Sequence, residues 1–84
     1  MYSFDEKVNN VIQKISLEAR LSKREFELLS LWVSNYDYKQ ISSQLVISQQ
    51  TVRKHIHNIN LKLGTHSKYE ILLIIIAYLS SQLN

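Results

Sequence analysis

The chain has 84 residues, 45% of them hydrophobic, with no cysteine, no proline and a single glycine, Gly64. This describes one small domain, too apolar to be disordered, lacking thiols for disulfides or a thiolate metal site, and lacking the turn residues of a β-sandwich. The net charge of +3 is uneven: residues 1–37 carry five basic and six acidic side chains, whereas residues 38–69 carry five basic side chains, three histidines and no acid.

A capping box pairs a cap residue with Glu or Gln three positions later. Ser3 with Glu6, Ser22 with Glu25, Asp37 with Gln40, and Ser67 with Glu70 all have this spacing. Ser48 caps a further helix without a full box, because Thr51 replaces the acid. Five helices are therefore predicted, and the fold class is all-α. The first runs from about Phe4 to Leu17, with its apolar stripe at Phe4, Val8, Val11 and Ile15. The second runs from Lys23 to about Asn35, with Leu21 and Phe26 spaced as a hydrophobic staple around its start. Phe26, Leu29 and Val33 form one line on it, with Leu28 and Trp32 alongside. The third is short, Tyr38 to Leu45, and buries Ile41 and Leu45. The fourth begins after Ser48 and closes at Gly64, with Val52, Ile56, Ile59 and Leu63 facing inward. The fifth runs from Lys68 to about Gln82.

The third and fourth helices are joined only by Val46, Ile47 and Ser48, the short link of a helix-turn-helix. With its inner line buried, the fourth helix turns Gln50, Arg53, Lys54, His57 and Leu61 outward, at steps of three and four. Asn58 and Lys62 lie on the flank. Such a face suits the major groove, where Arg and Lys bond guanine and Gln or Asn bonds adenine. Ser48, Gln49 and Thr51 at the helix start offer donors to a phosphate. Double-stranded DNA is the expected partner, and the acid-free segment is the attractive surface for it.

Other chemistries are not expected. His55 and His57 are two residues apart and point in nearly opposite directions around a helix, so they share no ion. No catalytic constellation, cofactor loop or small-molecule site is evident, and the chain reads as a non-enzyme. The N-terminus lacks the apolar region of a signal peptide. The apolar run from Ile71 to Leu79 is short of the roughly 20 residues that span a bilayer. No membrane association is expected, and the lack of cysteine permits a reducing, cytoplasmic setting.

The stretch from Leu21 to about Ile76 resembles the LuxR/GerE-type helix-turn-helix domain. The resemblance rests on Leu21-Ser22-x-x-Glu25, Lys39-x-Ile41, Leu45-x-Ile47-Ser48, Thr51-Val52-Arg53-x-His55, Lys62-Leu63-Gly64 and Ser67-Lys68. It implies a dimeric, DNA-binding transcription regulator. Arg53, Lys54 and His57 are then the base-facing candidates, joined by Gln50 from the same outward helix face. Lys39, Ser48, Gln49, Thr51, His55, Asn58, Lys62 and Lys68 are the phosphate candidates. Leu72, Ile75, Ile76 and Leu79 on the last helix are the candidates for a homodimer interface. Residues 1–20 form an additional helix that packs on the core, extends the dimer or binds a partner, and residues 21–84 form the DNA-binding domain. About 20 residues precede the motif, so a stand-alone regulator is expected.

The chain departs from the family pattern at Gln40, Ser42, Gln49 and Gln50. Val46 occupies a turn position that is often glycine, and a positive φ is not expected there. An alternative of another class is a protein adaptor or antagonist. It would bind RNA polymerase or another regulator through its apolar end helices.

Overall fold

The computed structural model describes residues 6–82, which form five α-helices and no strand. They are α1 (Glu6–Glu18), α2 (Lys23–Val33), α3 (Tyr38–Leu45), α4 (Gln49–Leu63) and α5 (Lys68–Gln82). The all-α expectation holds. The expected cap of the first helix at Ser3, and its first apolar position, Phe4, lie outside the described residues.

Helix α2 is the hub, packing against each of the other four. Its sequence suits that place, because Leu28, Leu29, Leu31, Trp32 and Val33 are all buried and cover more than one face. A helix apolar around so much of its circumference belongs inside a bundle. Ser30 is also buried, and its hydroxyl donates to the Phe26 carbonyl at 3.0 Å. The core is completed by Val11, Ile12 and Ile15 of α1, Ile41 of α3, Val52, Ile56 and Ile59 of α4, and Ile71 and Ile75 of α5. Helix α1 packs on α5 and α2. Its C-terminal end is tied to α5, where the Tyr78 hydroxyl donates to Glu18 and the Lys14 ammonium lies 5.4 Å from the Tyr78 ring centre.

Two capping boxes close as expected. The Ser22 N–H donates to Glu25 at 2.8 Å and the Glu25 N–H to the Ser22 hydroxyl at 3.1 Å. Asp37 and Gln40 make the same reciprocal pair at 2.9 and 2.8 Å. The box expected at Ser67 is only half formed. The Glu70 N–H reaches the Ser67 hydroxyl at 3.4 Å, but the Glu70 carboxylate accepts instead from the His66 N–H at 3.0 Å. Gly64 adopts the left-handed conformation that ends α4, with φ 69°. Behind it, buried Thr65 donates its hydroxyl to the Asn60 side chain at 2.7 Å, while that side chain donates to the Ile56 carbonyl.

The α3–α4 turn corrects one expectation. Val46 has φ 56° and ψ 52°, in the left-handed region. The local hydrogen bonds explain how a β-branched residue is held there. The Ser42 carbonyl accepts from the N–H groups of both Val46 and Ile47, and the Ser42 hydroxyl donates to the Ile47 carbonyl. Ser42, a departure from the family pattern, thus braces the turn from both sides. Val46 itself is 88% exposed, so its side chain loses nothing by projecting into solvent.

Glu25 does more than cap α2. It is 5% exposed, and its carboxylate meets the Lys62 ammonium of α4 at 2.7 Å. Lys62 also reaches the Arg20 carbonyl at 3.4 Å. Burial by itself would raise the carboxyl pKa, but the bonds from Lys62 and Ser22 outweigh it and hold the pKa below the ordinary 4.5. A depressed native pKa stabilises the fold above the ordinary value and withdraws that support as pH falls through the native one.

Two outcomes are expected. Val46→Gly relieves a left-handed conformation that costs an L-residue about 1–2 kcal/mol, offset by roughly 0.5–1 kcal/mol of glycine entropy. Thermal unfolding monitored by circular dichroism should shift upward, by about 4–8 °C if the net gain is about 1 kcal/mol. Chemical denaturation as a function of pH should lose midpoint steadily below about 4.5, the ordinary glutamate value. Glu25→Gln should start lower at neutral pH and show a shallower acid loss.

Candidate nucleic-acid interface

Helix α4 has a dry side and a wet side. Val52, Ile56 and Ile59 are buried against α2 and α3, with Leu63 half-buried at the end of the line. The 3.6-residue period then sends Gln50, Arg53, Lys54 and His57 outward, and all four are exposed. Leu61, 67% exposed, continues the same line. The helix has 15 residues and is about 22 Å long. Its start is held by Ser48, whose hydroxyl accepts from the Thr51 N–H at 3.1 Å and lies 2.9 Å from the Thr51 hydroxyl. The free N–H groups that every helix start leaves therefore lie beside the exposed side chains of Ser48, Gln49 and Gln50.

Among the described residues, no carboxylate pairs with Arg53, Lys54 or His57. The partner of Arg53 is an aromatic ring: its guanidinium carbon lies 5.6 Å from the centre of Tyr38, the first residue of α3. Lys39 and Lys68, both phosphate candidates implied by the family resemblance, line one open cleft of about 440 Å³. Trp32, Asn35, Tyr36, Asp37 and Tyr38 complete its walls. The cleft lies where α3 and α5 both begin. Tyr36 and Tyr38 are the residues that sequence reasoning missed. Their only signal was a pair of aromatics ahead of Lys39, and nothing in the spacing connects Tyr38 with Arg53.

The remaining expected residues divide by exposure. Ser48 and Gln49 are exposed, while Thr51, Asn58 and Lys68 are half-buried. His55 is also half-buried, and its Nδ1 is enclosed without a protein hydrogen-bond partner among the described residues. Lys62, expected among the phosphate contacts, is engaged elsewhere, because its ammonium is bound by Glu25.

The apolar stripe of α5 divides by exposure. Ile75 is 5% exposed and belongs to the core, and Leu72 and Leu79 are half-buried against it. Of the four expected interface residues only Ile76 is exposed, at 56%. The open stripe is Tyr69, Leu73 and Ile76, spaced by four and three. The run is apolar all round, so composition did not reveal which side the bundle covers. Among the described residues, no helix is long and apolar enough to cross a membrane.

Spore germination protein GerE of Bacillus subtilis is 46% identical over 48 residues, covering 57% of this chain and 65% of GerE. Transcriptional regulatory protein RcsA of Klebsiella aerogenes is 42% identical over 48 residues, covering 57% of this chain and 23% of RcsA. Oxygen regulatory protein NreC of Staphylococcus aureus is 45% identical over 51 residues, covering 61% and 24%. The chain thus spans less than two thirds of each of these relatives. No solved structure matches it significantly. The family model described as bacterial regulatory proteins, luxR family, matches residues 19–75, which include the whole helix-turn-helix. On that match, the chain belongs to the LuxR family of bacterial regulatory proteins.

Proposed function

We propose that this chain is a sequence-specific, double-stranded DNA-binding regulator of transcription that acts as a homodimer. The observation that carries this reading is the outward face of α4. Gln50, Arg53, Lys54 and His57 stand exposed together, with no acid in the surrounding segment to neutralise them. In this reading α4 enters the major groove, where these four side chains meet base edges. Lys39, Lys68, Ser48, Gln49 and Thr51 meet the phosphates on either side and set the register. His55 and Asn58, half-buried, lie at the margin of that surface. Lys62 is left out of the contact set because Glu25 holds it.

The homodimer reading is supported by the Tyr69, Leu73 and Ile76 stripe, an apolar surface exposed on one side of α5. Pairing two copies across it buries that surface in both, and a two-fold axis matches an inverted repeat. Half-sites would then lie about 10–10.5 bp apart.

Selection of bound sequences from random DNA supplies the cognate site, and gel-shift titration tests the roles. Arg53→Ala or Lys54→Ala should weaken cognate binding by about 1–3 kcal/mol and relax selectivity at one base pair. Lys68→Ala should weaken cognate and random DNA alike and lower the salt slope by about one. For the dimer, Leu73→Glu should leave a folded monomer in sedimentation equilibrium, while Ile75→Glu should unfold the chain. A Leu73→Glu protein that stays dimeric would move the interface elsewhere.

A second reading, an adaptor for RNA polymerase or another regulator, is favoured by one feature. Leu17 is 80% exposed beside a notch of about 210 Å³ shared with Gln13, Ser16 and Phe26. A chain that makes no DNA complex even at low salt would select this reading over the first.

A further inference from the structure

Arg53 has the longest side chain on the outward face of α4, and its freedom is a problem for base recognition. A guanidinium on a flexible stem must be ordered before it makes two hydrogen bonds to one base edge. That ordering costs affinity and blurs selectivity. Recognition side chains are often steadied by a neighbouring carboxylate, but among the described residues none pairs with Arg53. The fold supplies a ring instead. Tyr38 is half-buried and packed against the core, so its ring is itself held in place. The Asp37–Gln40 capping box fixes the backbone at Tyr38, the first residue of α3. The Arg53 guanidinium lies over that ring at 5.6 Å, within the range of a cation–π interaction.

We propose that Tyr38 is a positioning residue for base reading: its ring holds the Arg53 guanidinium in one orientation on the outward face of α4. The inference rests on the DNA-binding reading and deepens it, because it assigns a selectivity role to a side chain outside the recognition helix. The interaction suits the task. A ring orders the cation without competing for its N–H donors, which remain available to guanine O6 and N7. A carboxylate in the same place would occupy those donors and repel the phosphates. Tyr38 also lines the cleft that contains Lys39 and Lys68. One aromatic residue therefore joins the flanking phosphate surface to the base-reading arginine.

The test compares Tyr38→Phe and Tyr38→Leu, alone and combined with Arg53→Ala. Gel-shift titrations use the selected site, the same site altered at the base pair read by Arg53, and random DNA. Tyr38→Leu should weaken the selected site by about 2- to 5-fold, the range expected of an exposed cation–π contact. Random-DNA affinity should be unchanged. Tyr38→Phe, which keeps the ring, should bind like the parent. In the Arg53→Ala background Tyr38→Leu should have no further effect. Equal loss on all DNA, persistence of the effect without Arg53, or tighter binding by Tyr38→Leu would each overturn the proposal. The contact is also read without DNA. The upfield ring-current shift of the Arg53 δ-protons in NMR should survive Tyr38→Phe and vanish in Tyr38→Leu. If the parent protein selects no DNA sequence, the functional reading fails. The NMR comparison still decides separately whether Tyr38 orders Arg53, and equal shifts in all three proteins would overturn that too.

Discussion

A single carboxylate ties the C-terminal end of α4 to α2. Glu25 lies at the start of the most enclosed helix, and it satisfies the Ser22 N–H and the Lys62 ammonium at once. An unpaired charge at that depth would be costly, so α4 must bring its lysine there. That requirement acts together with the buried line of Val52, Ile56 and Ile59. The apolar line decides which face of α4 turns inward, and the ion pair ties its C-terminal end to α2. The outward direction of Arg53, Lys54 and His57 follows from both.

The other end of α4 is governed by the turn. Val46 sits in a conformation that a β-branched residue disfavours, and it does so where the chain reverses between α3 and α4. Ser42 balances this with three hydrogen bonds to the turn backbone. The crossing of the two helices is thus held by local polar chemistry rather than by glycine. Tyr38 and the cleft with Lys39 and Lys68 lie at the N-terminal end of α3, opposite that turn, so α3 links the flanking lysines to the face of α4.

The features legible in the sequence were those that depend on near neighbours. Helix starts could be read because a cap and its partner are three residues apart, as with Ser22 and Glu25 or Asp37 and Gln40. The inner line of α4 could be read because its apolar residues repeat at helical spacing. The same logic failed where the pattern was degenerate. Residues 71–76 are apolar on every side, so nothing local distinguished Ile75, which is buried, from Ile76, which is not. It failed again at Val46, where side-chain preference pointed one way and the geometry of the reversal required another.

What the sequence determined by itself was the number of helices, the caps of α2, α3 and α4, and the face of α4 that carries Gln50, Arg53, Lys54 and His57. These depend on spacings of three and four residues within one helix, and such spacings are written directly in the chain. What only the tertiary structure decided was which charges remain available. Lys62 and Lys68 are both basic residues in the same acid-free segment, yet one is bound by Glu25 and the other lines an open cleft. Tyr38 is fifteen positions from Arg53 in the chain and lies beneath it in the fold. Pairings of that kind arise from how the helices cross, and the crossing is set by the shared core rather than by any one segment.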